Sequence, residues 1–306
     1  MVKKVTLLVA ALVAVALFLV LPVWSGTVPA SIVPDGARYV AHLDMEKFVG
    51  TKLYEYLDKD GRFEINSHDI GRLLKLDLAR DVTGVTIFGA GAGEKDAVIA
   101  VAGRFEKERL LTILSLDDDP REYAYGGNTI YSKGHNEYGA FVNDGLIVLA
   151  ENRAAVEKVL DTAAGKAKNF ASSKLNALLK DVSSGAFLSG VVEDLGELGG
   201  EIRRSRFVEK ARGMFFQAQE KGDSFQFRAQ VTSDSPESAK DMADIVQGLI
   251  ALGRLSEQDH ETGFASFTDG IQVNLDGKTM SLEFDRPSRE IADLLSRGRR
   301  FHGFFD

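Results

Sequence analysis

The chain has 306 residues and no cysteine. That excludes disulfides, thiolate metal centres, a cysteine nucleophile and lipidation through an N-terminal cysteine, so burial alone must hold the fold together. Prolines number only six and no low-complexity run occurs, which argues against long disordered stretches. The five histidines, His42, His68, His135, His260 and His302, contain no pair at metal-ligand spacing, so no zinc site follows from neighbours in sequence. Hydrolase and nucleotide signatures are missing as well: there is no Gly-x-Ser-x-Gly, no His-Glu-x-x-His and no Gly-Lys-Ser/Thr loop. Basic charge is short, with 37 Lys and Arg against 45 Asp and Glu and a formal net charge of −8. That sign excludes nucleic acid as the expected partner and disfavours anionic surfaces generally.

What is present begins at the N-terminus. Lys3 and Lys4 precede an uncharged apolar run from Val5 to Val23, the pattern of an export signal. Val28-Pro29-Ala30 places a small residue where cleavage after Ala30 would need it. The run also approaches the ~20 residues that span a bilayer as a helix, so residues 1–30 are read as a signal peptide or a membrane anchor. Either way the two lysines stay on the cytoplasmic side and the body is expected to be extracytoplasmic: secreted, periplasmic or anchored to the plasma membrane.

Beyond this segment the pattern reads as one plan repeated over roughly 125 residues. Strand Arg38–Asp44 is matched by Ala186–Glu193, and both end in an acidic residue. Each is followed by a hairpin, Val85–Phe88 with Ala97–Phe105 and Met214–Gln219 with Ser224–Thr232, and then by a helix, Glu106–Leu114 or Pro236–Leu252. Ser235 and Pro236 form a helix start, as N-cap and first helical residue. Asn143-Asp144-Gly145 and Asp276-Gly277 then mark a second hairpin in each half, and a closing helix follows. The expected fold is α+β: two similar units of mainly antiparallel sheet with helices packed on one face, after an N-terminal hydrophobic helix. The units are placed at 31–165 and 186–306, joined by a connector at 166–185 in which Ser173 can cap a short helix. Arg297, Arg299, Arg300, Phe301, Phe304 and Phe305 give the second unit a basic and aromatic tail.

Alternation assigns faces. Phe225, Phe227, Ala229 and Val231 alternate with Gln226, Arg228, Gln230 and Thr232, so one face of the second sheet is expected to be wet. Ala97–Ala102 is apolar throughout, as a central strand covered on both faces would be. The segments Arg80–Gly89 and Tyr138–Leu149 are strand and turn signatures, and through them the first half resembles uncharacterised secreted bacterial proteins with one N-terminal export segment and a duplicated α+β body. That resemblance implies no activity.

No residue qualifies as catalytic or cofactor-binding. The glycine run Gly89-Ala90-Gly91-Ala92-Gly93 follows a strand but leads into another strand through Glu94-Lys95-Asp96. A phosphate loop would need a helix N-terminus there, so it is read as a hairpin turn. Asp58, Asp60 and Asp69 surround a glycine as calcium ligands do, at the wrong spacing, and Asp117, Asp118 and Asp119 form an acidic loop. These are the weak metal candidates; the expectation is no metal and no cofactor. The candidate binding face is the wet side of the second sheet, Gln217, Gln219, Gln226, Arg228, Gln230 and Gln272, with Asn274 beside it. A solvated, solubilising surface is the plainer reading of the same residues. Together these features point to an exported, non-catalytic envelope protein that binds or scaffolds, with an envelope protein, a glycan or a lipid as its partner. The alternatives are a carrier of a small ligand or lipid, and a hydrolase without a recognisable motif.

Overall fold

The computed structural model describes residues 29–59, 78–91, 96–114, 120–134, 136–195, 209–255, 268 and 270–298. The N-terminal hydrophobic segment therefore lies outside the described residues. In the first half the strands are β1 (Tyr39–Asp44), β2 (Val82–Gly89), β3 (Val98–Gly103), β4 (Pro120–Tyr125), β5 (Asn128–Lys133), β6 (Glu137–Asn143) and β7 (Leu146–Ala150). The second half supplies β8 (Ala186–Glu193), β9 (Ala211–Lys221), β10 (Ser224–Ser233), β11 (Ile271–Asp276) and β12 (Thr279–Pro287). Helices are α1 (Met45–Val49), α2 (Lys52–Lys59), α3 (Leu78–Asp81), α4 (Lys107–Leu114), α5 (Arg153–Ala163), α6 (Lys174–Leu178), α7 (Pro236–Leu255) and α8 (Ser288–Gly298).

The protein is α+β, with one large antiparallel sheet instead of two separate ones. Among the described residues twelve strands hydrogen-bond in the order β11-β12-β10-β9-β8-β1-β2-β3-β7-β6-β5-β4. The seam is the antiparallel pair β1/β8, with Ala41 opposite Gly190 and His42 opposite Ser189. Outward from the seam the first half runs β1-β2-β3-β7-β6 and the second runs β8-β9-β10-β12-β11. The first half adds a further hairpin, β5-β4, beyond β6. Its turn is Gly126-Gly127, both at positive φ (58° and 90°), a conformation glycine adopts without steric cost and tight hairpins require.

Opposite residues in antiparallel strands point to the same face, so the pairing registers trace rows across the whole sheet. One row reads Gln272, Glu283, Arg228, Gln217, Ser189, His42, Thr86, Ala100, Val148, Ala140, Ile130, Tyr123 from β11 to β4. It passes from exposed polar through buried polar to buried apolar side chains. The neighbouring row on the opposite face includes Leu282, Ala229, Phe216, Gly190, Ala41 and Ile87.

Those rows explain where the helices sit. α5 lies on the face of Ile130 and Ala140: Arg153 stacks 4.9 Å from the Tyr123 ring, and Tyr125 donates to Asp161 at 2.7 Å. α7 packs against β10, β12 and β11 on the other face, where Val231 and Met280 are buried, with Met242, Ala243, Val246 and Ile250 turned inward. Ser235 accepts from the Ser238 N–H at its start. α8 is on that second face too, since Ser288 donates to Glu220, which lies opposite Phe225. The expectation of helices on one face is thus corrected: they cover both. α7 and α8 cover one side of the second-half end and α5 covers the opposite side of the first-half end, and the central strands are buried on both. β8 accordingly has seven buried residues in succession, Ala186 to Val192.

The stretch expected to be a connector contributes to the core. Phe170 is fully buried and Leu175 nearly so. The chain before β1 is tied to it by Phe170 N–H to Val33 O at 2.7 Å and by a bridge between Pro34 and Asn169. Ser173 caps α6, accepting from the Leu175 N–H at 3.2 Å.

Candidate functional site

The pleat sends alternate residues of β9, β10, β11 and β12 to the side of the sheet that α7 and α8 leave uncovered. Gln219 stands opposite Gln226, Gln217 opposite Arg228, Phe215 opposite Gln230, and Gln272 opposite Glu283. All six residues of the sequence-predicted face, Gln217, Gln219, Gln226, Arg228, Gln230 and Gln272, therefore share one side, with Asn274 beside them.

Their environments differ. Gln272 and Arg228 are exposed, Gln219, Gln226 and Gln230 are half-buried, and Gln217 is 8% exposed. Gln217 is covered by the stretch before β8, where the Ser183 N–H donates to its Oε1 at 2.8 Å. The same serine hydroxyl donates to Gln219 Oε1 at 2.5 Å. Gln219 Nε2 then donates to Gln226 Oε1 at 2.9 Å, and Gln226 Nε2 donates to Asp285 Oδ2 at 2.9 Å. Ser224 closes the chain as a donor to Asp285 Oδ1. The hydroxyl and amide hydrogen bonds hold the Asp285 carboxyl below its ordinary range. Beside this chain Arg228 pairs with Glu283 at 3.5 Å.

A relay of this kind fixes each amide's orientation while leaving it a second N–H and further lone pairs. The face is thus a preorganised array of amide donors and acceptors that ends on the Asp285 carboxylate beside the Arg228–Glu283 ion pair, an arrangement suited to hydroxyl-rich or amide ligands. Ser183, Ser224, Glu283 and Asp285 complete it and were not singled out from sequence. Alternation of Ser281, Glu283 and Asp285 along β12 marks that strand's wet side, but nothing local announces a contact between Ser183 and Gln217.

The row continues inward to a second polar group. His42 Nδ1 lies 3.1 Å from Thr86 Oγ1, and Ser189 is opposite His42. All three are buried, at 4%, 0% and 7% exposure. Serine and histidine side by side suggest nucleophile chemistry, but this depth keeps substrate away, and the group is a hydrogen-bonded part of the core. Asp44, on the same side of β1, is occupied as the cap of α1: its Oδ1 accepts from the Lys47 N–H at 2.8 Å and its Oδ2 pairs with Lys47 Nζ at 2.9 Å.

Of the weak metal candidates Asp58 lies in the last turn of α2, whereas Asp60, Asp69, Asp117, Asp118 and Asp119 lie outside the described residues. So do the basic and aromatic residues 299–306. Among the described residues no three His, Asp or Glu side chains gather as a metal would require, and no helix is long and apolar enough to cross a membrane. A depression of about 300 Å³ opens beside α5, lined by Pro29, Ile32, Val142, Leu146, Leu160 and Ala164 among others.

No family model matches this chain and no curated protein matches it. Solved structures do. Three crystal forms of TP0453 share its fold: form III with a TM-score of 0.57 at 11% identity, form I with 0.56 at 11%, and form IV with 0.51 at 10%. Each match covers 89% of this chain and 97% to 99% of the other. At such identity the likeness establishes the fold alone: a large antiparallel sheet with several helices.

Proposed function

We propose that this is an exported, extracytoplasmic protein of the cell envelope that works by binding or scaffolding, without catalysis and without metal or cofactor. The observation that carries the reading is the relay from Ser183 through Gln219 and Gln226 to Asp285 on the solvated face. Proteins do not need tied amides for solubility, since exposed charges serve better, whereas a recognition surface gains from fixed donors and acceptors. Export is supported by Lys3, Lys4 and the uncharged run after them, and membrane attachment follows if that segment is retained. The partner is an envelope protein, a glycan or a lipid.

The body is proposed to consist of two copies of one unit. The matching strand orders outward from β1 and β8 support this. The copies are equivalent over five strands and the helix after the first hairpin, and diverge at the closing helices α5 and α8, which pack on opposite faces.

A second reading, carriage of a small apolar ligand, draws on the depression beside α5, whose ~300 Å³ is at the lower end of ligand-site volumes. The test is the thermal stability of residues 31–306 with peptidoglycan fragments, lipids, calcium or chelator. A ligand at 100 times its Kd should stabilise by about 2.7 kcal/mol, and the double substitution Gln219→Ala/Gln226→Ala should remove that shift if the amide face is the site. Turnover in a hydrolase panel would overturn the binding reading.

A further inference from the structure

We infer that β11 is a self-pairing edge: two copies of this chain join β11 to β11, antiparallel, about a two-fold axis perpendicular to the sheet. The inference concerns assembly and stands apart from the amide face. A sheet with free edges needs protection against adventitious pairing, by proline, charge, a bulge or a covering element. The two edges of this sheet differ in that respect. β4 begins with Pro120-Arg121-Glu122, all exposed. β11 reads Ile-Gln-Val-Asn-Leu-Asp, with no proline and no lysine, and pairs with β12 in an unbroken register over all six residues. Among the described residues nothing pairs with its outer edge.

Self-complementarity identifies the occupant. A two-fold axis perpendicular to the sheet preserves its faces, so residues of like parity must stand opposite one another. Centring the axis at Val273 sets Val273 against Val273, Ile271 against Leu275, and Gln272 against Asn274 of the second copy. One side of the junction is then wholly apolar and the other carries the amides at its centre with Asp276 at either end. Asp276, the only charge in the strand, would be opposite Gly270, so no like charges meet. Leu275, 48% exposed here, gains a cross-strand partner in Ile271. On the same side α7, which packs over β11, leaves Ile245 and Leu252 41% and 52% exposed. That apolar surface is needed, because a six-residue strand pair alone buries less than the ~1,200 Å² of a stable interface.

The absence of cysteine makes the test clean, using the full chain in mild detergent. A Val273→Cys variant treated with a short bismaleimide should give a covalent dimer. Mixing Gln272→Cys with Asn274→Cys chains should give more mixed disulfide than either alone, because these positions face each other. Glu122→Cys, on the opposite edge, should not cross-link to itself. Adding Gln272→Lys/Asn274→Lys to the Val273→Cys chain should lower the yield about tenfold by setting ammonium groups against each other. Gln272→Lys/Asn274→Glu should restore it by setting each against a carboxylate. Both positions are exposed, so circular dichroism should show an unchanged fold. No Val273→Cys dimer, or a yield indifferent to the lysine pair, would overturn the proposal. So would cross-linking of Glu122→Cys to Asn274→Cys chains without any β11-to-β11 product, since that is a head-to-tail contact.

Discussion

Replacing Gly190 by alanine tests the seam between the halves. Gly190 lies on β8 between Ala41 of β1 and Phe216 of β9, and the Phe216 ring, with no exposed surface, lies across it. A Cβ built there would be 2.3 Å from Phe216 Cζ, 2.6 Å from Cε1 and 3.0 Å from the Val40 carbonyl oxygen. Carbon pairs prefer ~3.5 to 4.0 Å, so the ring must move by more than an ångström in a core packed at crystal density. Overpacking of this kind costs about 1 to 3 kcal/mol or somewhat more. Against it stands the gain from removing a glycine from a strand, about 0.5 to 1 kcal/mol. The steric term wins, and Gly190→Ala should destabilise by about 1.5 to 3 kcal/mol in urea unfolding followed by circular dichroism. Phe216→Leu, which removes the Cζ and Cε1 atoms that clash, should cost less in the Gly190→Ala background than in the native one, with a coupling of at least about 1 kcal/mol. A neutral Gly190→Ala, or additive effects in the cycle, would refute the packing of Phe216 over the seam.

Phe284 is 5% exposed and faces the half-buried Phe227 across β10 and β12. Phe284→Ala should therefore cost about 3 to 4 kcal/mol and Phe227→Ala clearly less; equal losses in urea unfolding would mean that Phe227 is as buried as its neighbour. Glu220 accepts from the N–H groups of Lys52 at 2.6 Å and Leu53 at 2.9 Å and from the Ser288 hydroxyl, so this β9 carboxylate caps the first-half helix α2. Glu220→Ala should cost about 2 kcal/mol and speed hydrogen exchange at Leu53, and unchanged exchange there would reject the cap. Lys52 and Lys59, by hydrogen bonding and charge, hold the Glu55 carboxyl at about 2. Its folded value is depressed, so its contribution is complete above the ordinary value of 4.5 and is lost as pH falls towards 2. An NMR titration of Glu55 should show this, with 0.5 M salt raising the value. Export predicts that protease added to intact spheroplasts reaches the body; a protected, cytosolic body would end that idea.

Alternation and turn chemistry carry much of this protein in plain sight. Phe225 to Thr232 declares a strand with one wet side, Asp276-Gly277 declares a hairpin, and Ser235-Pro236 starts a helix, because each signal depends only on neighbours in the chain. Gly126-Gly127 is an equally local signal and marks the β4–β5 hairpin, which has no counterpart among the described residues of the second half. The six candidate residues of the wet face were legible for the same reason, since a period of two sends them all one way. What sequence could not supply is any relation set by distant pairing. Two units of alternating strands fit two separate sheets as well as one, and only the pairing of β1 with β8 merges them. Which side of each end is wet followed from that merger: the side that α7 covers at one end is not the side that α5 covers at the other. The burial of Gln217 beneath Ser183, 34 residues away, and the placing of Phe216 over Gly190, 26 positions earlier in the chain, are decisions of the same kind. Local preference chooses the strands, and long-range hydrogen bonding and core packing choose their neighbours.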